Sequence, residues 1–208
     1  METTRTTNLL KDPRGAYSYN EMMAIIDAAK NNMRDYALLT TLAFTGRRIN
    51  EVVRSLKPKD IDAENKLIFW TIEKQFNKRS FWQPKTRVVK AIPVMTGVLS
   101  VLQGYITARG IPADAYVFPI SSTRVWVIVK RYSKIAGVVD KKRIVHAFRH
   151  GFALAFAERS TSPLDIDVLN QLLAHPFKET TMFYFRYKDK KPGAMLDDMF
   201  GSKDADVS

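Results

Sequence analysis

All three histidines of the chain, His146, His150 and His175, fall within one stretch whose spacing leaves the backbone few choices. It reads R-I-V-H-A-F-R-H-G-F from Arg143, then L-N-Q-L-L-A-H-P-F-K-E-T-T-M-F-Y-F-R-Y ending at Tyr187. Offsets of three and four put His146, Arg149 and His150 on one face of a helix. A second helix over 164–174 must stop at His175-Pro176, because proline has no N–H to continue the ladder. A third begins near Glu179 and carries Tyr184 one turn in. Imidazoles, a guanidinium and a phenol in one hollow suit attack on a phosphodiester. Guanidinium forks hold the non-bridging oxygens, and the phenol is the nucleophile.

H-A-F-R-H, followed by L-L-A-H and T-T-M-F-Y, resembles boxes II and III of the tyrosine recombinase (phage integrase) family. In that family the pattern is H-x-x-R-H, then L-G-H, with the nucleophilic tyrosine nine positions after the last histidine; His175 to Tyr184 is nine. Ala174 stands where the family has glycine. Upstream, T-G-R-R-I-N-E-V over 45–52 resembles box I, T-G-L-R-I-S-E-L. This alignment implies Arg48 as the catalytic arginine, Arg47 in the usual leucine position, and Glu51 as the acidic brace. Residues 66–72 and 87–94 have the apolar, β-branched character of strands, joined by a long basic hairpin. The family carries its general-acid lysine on this hairpin, eight residues before a strand-ending proline. Counting back from Pro93 gives Lys85, with Lys78 and Lys90 as alternatives.

The charge distribution fits a polyanionic partner. The chain of 208 residues carries a net charge of +12, and the excess is clustered. Residues 73–90 hold six basic side chains against Glu73 alone, and residues 124–143 hold seven against Asp140 alone. Aromatic residues lie among them (Phe76, Phe81, Trp82, Trp126), as on surfaces that bind nucleic acid. With no cysteine, disulfides and thiolate metal sites are excluded. No apolar run reaches the length of a membrane span, and the N-terminus lacks a signal-peptide core, so a cytoplasmic protein is expected.

Residues 1–17 read as a polar leader or linker. Ser18 caps a helix over 19–31, and a second helix over 33–44 stops at Thr45-Gly46, glycine being suited to the left-handed cap. Thr96 is expected to cap a helix reaching 108, which Gly110 and Pro112 terminate. A helix over 124–136 has an apolar stripe of Val125, Ile128, Val129, Tyr132 and Ile135. Arg124, Lys130, Arg131 and Lys134 lie on or beside its other face, and Lys78 and Arg79 sit on the basic hairpin. The resemblance implies that these six side chains contact DNA. The expected architecture is α+β: mainly helical, with a small antiparallel sheet. Residues 18–192 form the catalytic domain. Residues 193–208 form a C-terminal segment in which Met195, Leu196, Met199 and Phe200 recur at helical spacing. By analogy with the family it docks on a neighbouring protomer, with a disordered tail after it.

The resemblance implies a site-specific recombinase acting on double-stranded DNA, with the following roles and assembly. Tyr184 forms a 3′-phosphotyrosyl link, Arg48 and Arg149 clamp the phosphate, and His146 and His175 move protons or bond the phosphate. Lys85 protonates the leaving 5′-oxygen, and His150 supports the site. No metal, ATP or other cofactor is implied, and self-association into a tetramer on DNA is. A type IB topoisomerase shares the chemistry without sequence specificity, and a DNA-binding module that has lost catalysis is a further alternative. The three histidines could in principle hold zinc, but H-x-x-x-H lacks the glutamate of H-E-x-x-H. Only the short leader stands where most members carry an N-terminal helical domain, so weak, salt-sensitive DNA binding is expected.

Overall fold

A computed structural model describes residues 15–74, 86–138 and 144–188. Helix α1, Tyr19–Ala28, starts at a reciprocal capping box. The Ser18 hydroxyl accepts from the Glu21 N–H, and the Glu21 carboxylate accepts from the Ser18 N–H at 2.7 Å. Helix α2, Met33–Thr45, is capped by Asn32 and ends at Gly46 with φ 59°. There a Cβ would lie 2.7 Å from the Phe152 ring, so glycine is required for both conformation and space.

Helix α2 is buried on almost every side, with Leu38, Leu39 and Leu42 in the core and Tyr36, apolar in the same sequence pattern, half-buried. Ala37, Thr40, Thr41 and Ala43 are buried with them. Two of the buried threonines return their hydroxyls to the helix, Thr41 to Ala37 O and Thr45 to Thr41 O. Around this central helix pack α1, α4 (Thr96–Arg109) and α6 (Ile144–Arg159). Helix α3, Ile49–Ser55, follows Gly46 directly, and α5 is Ser122–Ile135.

The sheet has three antiparallel strands, β1 (Ile61–Asp62), β2 (Leu67–Lys74) and β3 (Thr86–Pro93), in that order. Ile68 pairs with Ile92 and Trp70 with Lys90. Ile68, Trp70, Ile72 and Ile92 face the core while Phe69 and Val89 are exposed, the alternation of a half-buried sheet. The two-residue β1 is too short to leave a periodic signal in the sequence. Residues 75–85, with Lys78, Arg79 and Lys85, lie outside the described residues, as do residues 1–14 and 189–208.

Three readings of the sequence need correction. Tyr17, read from the sequence as the end of a polar leader, belongs to the core. Tyr17 is 1% exposed, its ring meets Phe148 edge-on at 5.0 Å, and its hydroxyl bonds Ser133. Ile135 is not part of the buried stripe of α5; it is the last residue of the helix and 59% exposed, and the stripe ends at Tyr132. Thr96 is the first residue of α4 rather than its cap, a place taken by Met95 without a side-chain hydrogen bond.

A second, smaller core closes the C-terminal part. Ala153 and Ala157 of α6, Leu169 and Leu173 of α7 (Asp165–Leu173), and Tyr184 of α8 (Lys178–Lys188) are buried together, with Phe152, Phe156, Phe183 and Phe185 against them. Among the described residues no helix is long and apolar enough to cross a membrane.

Candidate active site

The site forms where three chain ends meet: the turn from α2 to α3, the carboxyl end of α7, and α8. Helix α6 runs behind them. A helix leaves its last four carbonyls without partners of its own, and in α7 all four find donors. Asn170 O and Gln171 O accept from the N–H groups of His175 and Ala174. Leu172 O accepts from Arg47 Nη2, and Leu173 O from Arg149 Nη2 at 2.7 Å. The other fork of Arg149 donates to Gly46 O, also at 2.7 Å. One guanidinium from α6 therefore ties the end of α2 to the end of α7.

Arg149 is 4% exposed. Burial, followed by the nearby positive charges of Arg48 and Arg47, pushes it down to about 9, while Glu51 and Tyr184 act in the opposite direction. Those five groups therefore share one electrostatic neighbourhood, and Arg149 remains cationic at neutral pH. Arg48 is the more open fork, its side chain 38% exposed, with Nη1 donating to Glu51 Oε1 at 3.0 Å. The other carboxylate oxygen of Glu51 accepts from the Arg48 N–H at 3.0 Å, so Glu51 fixes both the start of α3 and the direction of the Arg48 fork. Three guanidiniums against one carboxylate leave an excess of positive charge where an anionic phosphate would be stabilised.

The imidazoles lie at different depths. His150 Nδ1 is 2.6 Å from the Tyr184 hydroxyl, and both side chains are buried, Tyr184 to 1% exposure. His175 lies nearly parallel to the Tyr184 ring, centroids 6.5 Å apart. Its Nδ1 is 2.9 Å from the Thr181 hydroxyl, which donates its single proton to Asn170 Oδ1. Nδ1 therefore carries the histidine proton in the neutral ring, which leaves Nε2 as the basic nitrogen. His146 is exposed on α6, its ring 6.3 Å from that of His150. Sequence offsets placed His146, Arg149 and His150 on one face, and the structure sets the first at the rim and the other two in the interior.

The structure thus gathers Arg48, Glu51, Arg149, His150, His175 and Tyr184, with His146 at the edge. Lys85 falls outside the described residues. The side chains of Arg124, Lys130, Arg131 and Lys134 project from exposed positions on α5, with Lys130 Nζ 5.2 Å from the centre of the Trp126 ring. Three participants were not singled out from the sequence: Thr181 and Asn170, which orient His175, and Arg47, whose side chain is fully buried. Among the described residues no three His, Asp or Glu side chains cluster as a metal site.

Ala174 supplies a check on local energetics. It sits in the left-handed region with φ 48°, one of two non-glycine residues there among the described residues. A Cβ is unfavourable in that conformation by about 1 kcal/mol. Ala174→Gly is therefore expected to raise stability by about 0.5–1 kcal/mol, measured by chemical denaturation, without loss of the site's geometry.

Comparison with known proteins converges on one family. The phage integrase family profile matches residues 16–191. A tyrosine recombinase of Pseudothermotoga lettingae is 28% identical over 177 residues, covering 83% of this chain and 56% of that protein. Tyrosine recombinase XerA of Pyrococcus furiosus is 27% identical over 199 residues, covering 91% and 63%. The chain thus spans somewhat more than half the length of these relatives. In fold it is similar to the crystal structure of XerA recombinase, with a TM-score of 0.68 at 23% identity, covering 89% of this chain and 65% of that one. It is also similar to XerH site-specific recombinase bound to difH substrate in a pre-cleavage complex, with a TM-score of 0.63 at 18% identity, covering 88% and 52%.

Proposed function

The chain belongs to the phage integrase family, and on that premise we propose that it cuts and rejoins double-stranded DNA at a specific sequence, through a covalent link to Tyr184. The phenol oxygen attacks the scissile phosphorus, the bond to the 5′-oxygen breaks, and a 3′-phosphotyrosyl ester forms beside a free 5′-hydroxyl. Attack by a hydroxyl from a partner strand reverses the step and completes recombination. Because the ester conserves the phosphodiester energy, the exchange needs no ATP, and the cationic side chains supply the charge stabilisation.

The observation that carries this reading is the convergence on Tyr184. His150 is within hydrogen-bond reach of its hydroxyl, the His175 ring lies alongside, and Arg149 is close enough to feel its charge. In the proposed reaction Arg48 and Arg149 hold the non-bridging oxygens and offset the charge that grows in the pentavalent transition state. Glu51 braces Arg48. His175 presents Nε2, and His146 at the rim bonds the phosphate or moves protons. Lys85, on the hairpin between β2 and β3, gives the 5′-oxygen its proton. In this structure Tyr184 is buried, so attack requires α8 to shift towards the DNA, with His150 holding the phenol until then.

The exposed cations of α5 would contact the DNA backbone, and Lys78 and Arg79 would add contacts from the hairpin. Recombination needs several copies on DNA, and residues 193–208 would join them by docking on a neighbouring protomer in a tetramer. The setting would be the cytoplasm, on a chromosome or plasmid. The test is to recover protein-linked DNA from cells expressing the chain and to sequence the ends. Recurrent 3′-linked ends at one sequence are expected. Ends scattered without sequence preference would instead indicate topoisomerase-like cutting, and no linked DNA at all would contradict the proposal.

A further inference from the structure

Arg47 occupies the position at which the box I pattern has leucine, and its side chain is 0% exposed. Burial pushes it down to about 10, with Glu51 opposing and Arg48 adding to the shift. Within the described residues its Nε and Nη1 have no hydrogen-bond partner, although Nη1 lies 3.7 Å from Glu51 Oε2. A buried cation with incomplete hydrogen bonding is costly, and an apolar side chain of similar volume is often neutral or stabilising in its place. Glu51 would not be orphaned by such a change, since Arg48 holds it separately. Removing Arg47 would leave Leu172 O without its donor, so the relief of a buried charge and the loss of that bond offset each other, and stability alone does not account for an arginine at this position.

The one side-chain hydrogen bond it makes among the described residues offers a reason. Nη2 donates to Leu172 O, next to the carbonyl held by Arg149. Immediately after these carbonyls the chain turns through Ala174 in the left-handed conformation and delivers His175 alongside Tyr184. Arg149 alone would fix one point at the end of α7; the second anchor fixes the direction in which the chain leaves it.

We propose that Arg47 is a positioning residue for DNA cleavage: through Leu172 O it sets the exit of the chain from α7 and so the placement of the His175 ring. This rests on the cleavage reading above. A catalytic group displaced by about 1 Å can lose about a hundredfold in rate, so the effect belongs in the chemical step and not in DNA affinity.

The test uses Arg47→Leu and Arg47→Met in the full chain, with a nicked suicide duplex bearing the recovered cleavage sequence as probe. Covalent complex formation by the unaltered protein comes first, and its failure would count against the cleavage reading itself. Given that activity, both variants are expected to fold, with Tm changed little because relief of the buried charge offsets the unpaired Leu172 O, and to bind the duplex within about threefold, while cleaving about 10–100-fold more slowly at saturating protein. In a His175→Ala background the added Arg47→Leu change is expected to cost less than about threefold, because the two residues act through one step. Unaltered cleavage rates, full additivity with His175→Ala, or loss of folding in both variants would each overturn the proposal, the last by assigning Arg47 a purely structural role.

Discussion

Tyr184→Phe is expected to abolish the covalent protein–DNA complex, with strand cleavage on a suicide duplex falling by about 10⁴-fold or more, since the oxygen that forms the ester is removed. The substitution keeps the ring, which packs with Leu169 and Leu173 in the smaller core, and removes only the hydroxyl that meets His150 at 2.6 Å. Losing that bond costs about 1 kcal/mol, so the variant should fold and bind DNA much as before. Denaturing electrophoresis of the reaction separates the outcomes, because a covalent complex survives detergent and a bound one does not. Tyr187, three residues on, is the natural control: Tyr187→Phe is expected to retain the complex.

Arg149→Lys is the second large effect, a loss of about 10²–10³-fold in the cleavage rate at saturating protein. Lysine keeps the positive charge but not the planar fork. The fork spans Gly46 O and Leu173 O, two carbonyls on different elements, at 2.7 Å each. One ammonium cannot reproduce both directions and still face a phosphate. Some loss of stability is also expected, about 1–3 kcal/mol for the buried carbonyl left unpaired. Rates should therefore be compared well below the variant's Tm. If the lysine variant cleaves within about threefold of the unaltered protein, charge alone suffices and the role of the fork is refuted.

The parts of this arrangement that were legible in the sequence are those fixed by local rules. The Ser18 cap and the Gly46 stop are short-range devices, and both appear where their residues predict them. The order of T-G-R-R, H-A-F-R-H and L-L-A-H was readable as a pattern, although their meeting point was not. What failed to show were contacts made across the fold. Arg47 reads as one half of a solvated pair until its partner, 125 residues away, is known. Tyr17 belongs to a polar leader by composition and to the core by its fit against Phe148. His146 and His150 share a helical face, yet the packing of α8 over one end of that face buries His150 and leaves His146 at the surface. Ala174 looks like a neutral replacement for glycine, and only its backbone angle reveals the strain.

The most direct measurement is to digest the covalent complex with protease and nuclease and to locate the remaining nucleotide by mass spectrometry. The account predicts a nucleotide joined through its 3′-phosphate to the peptide bearing Tyr184. Attachment through a 5′-phosphate, or to any side chain other than Tyr184, would contradict it.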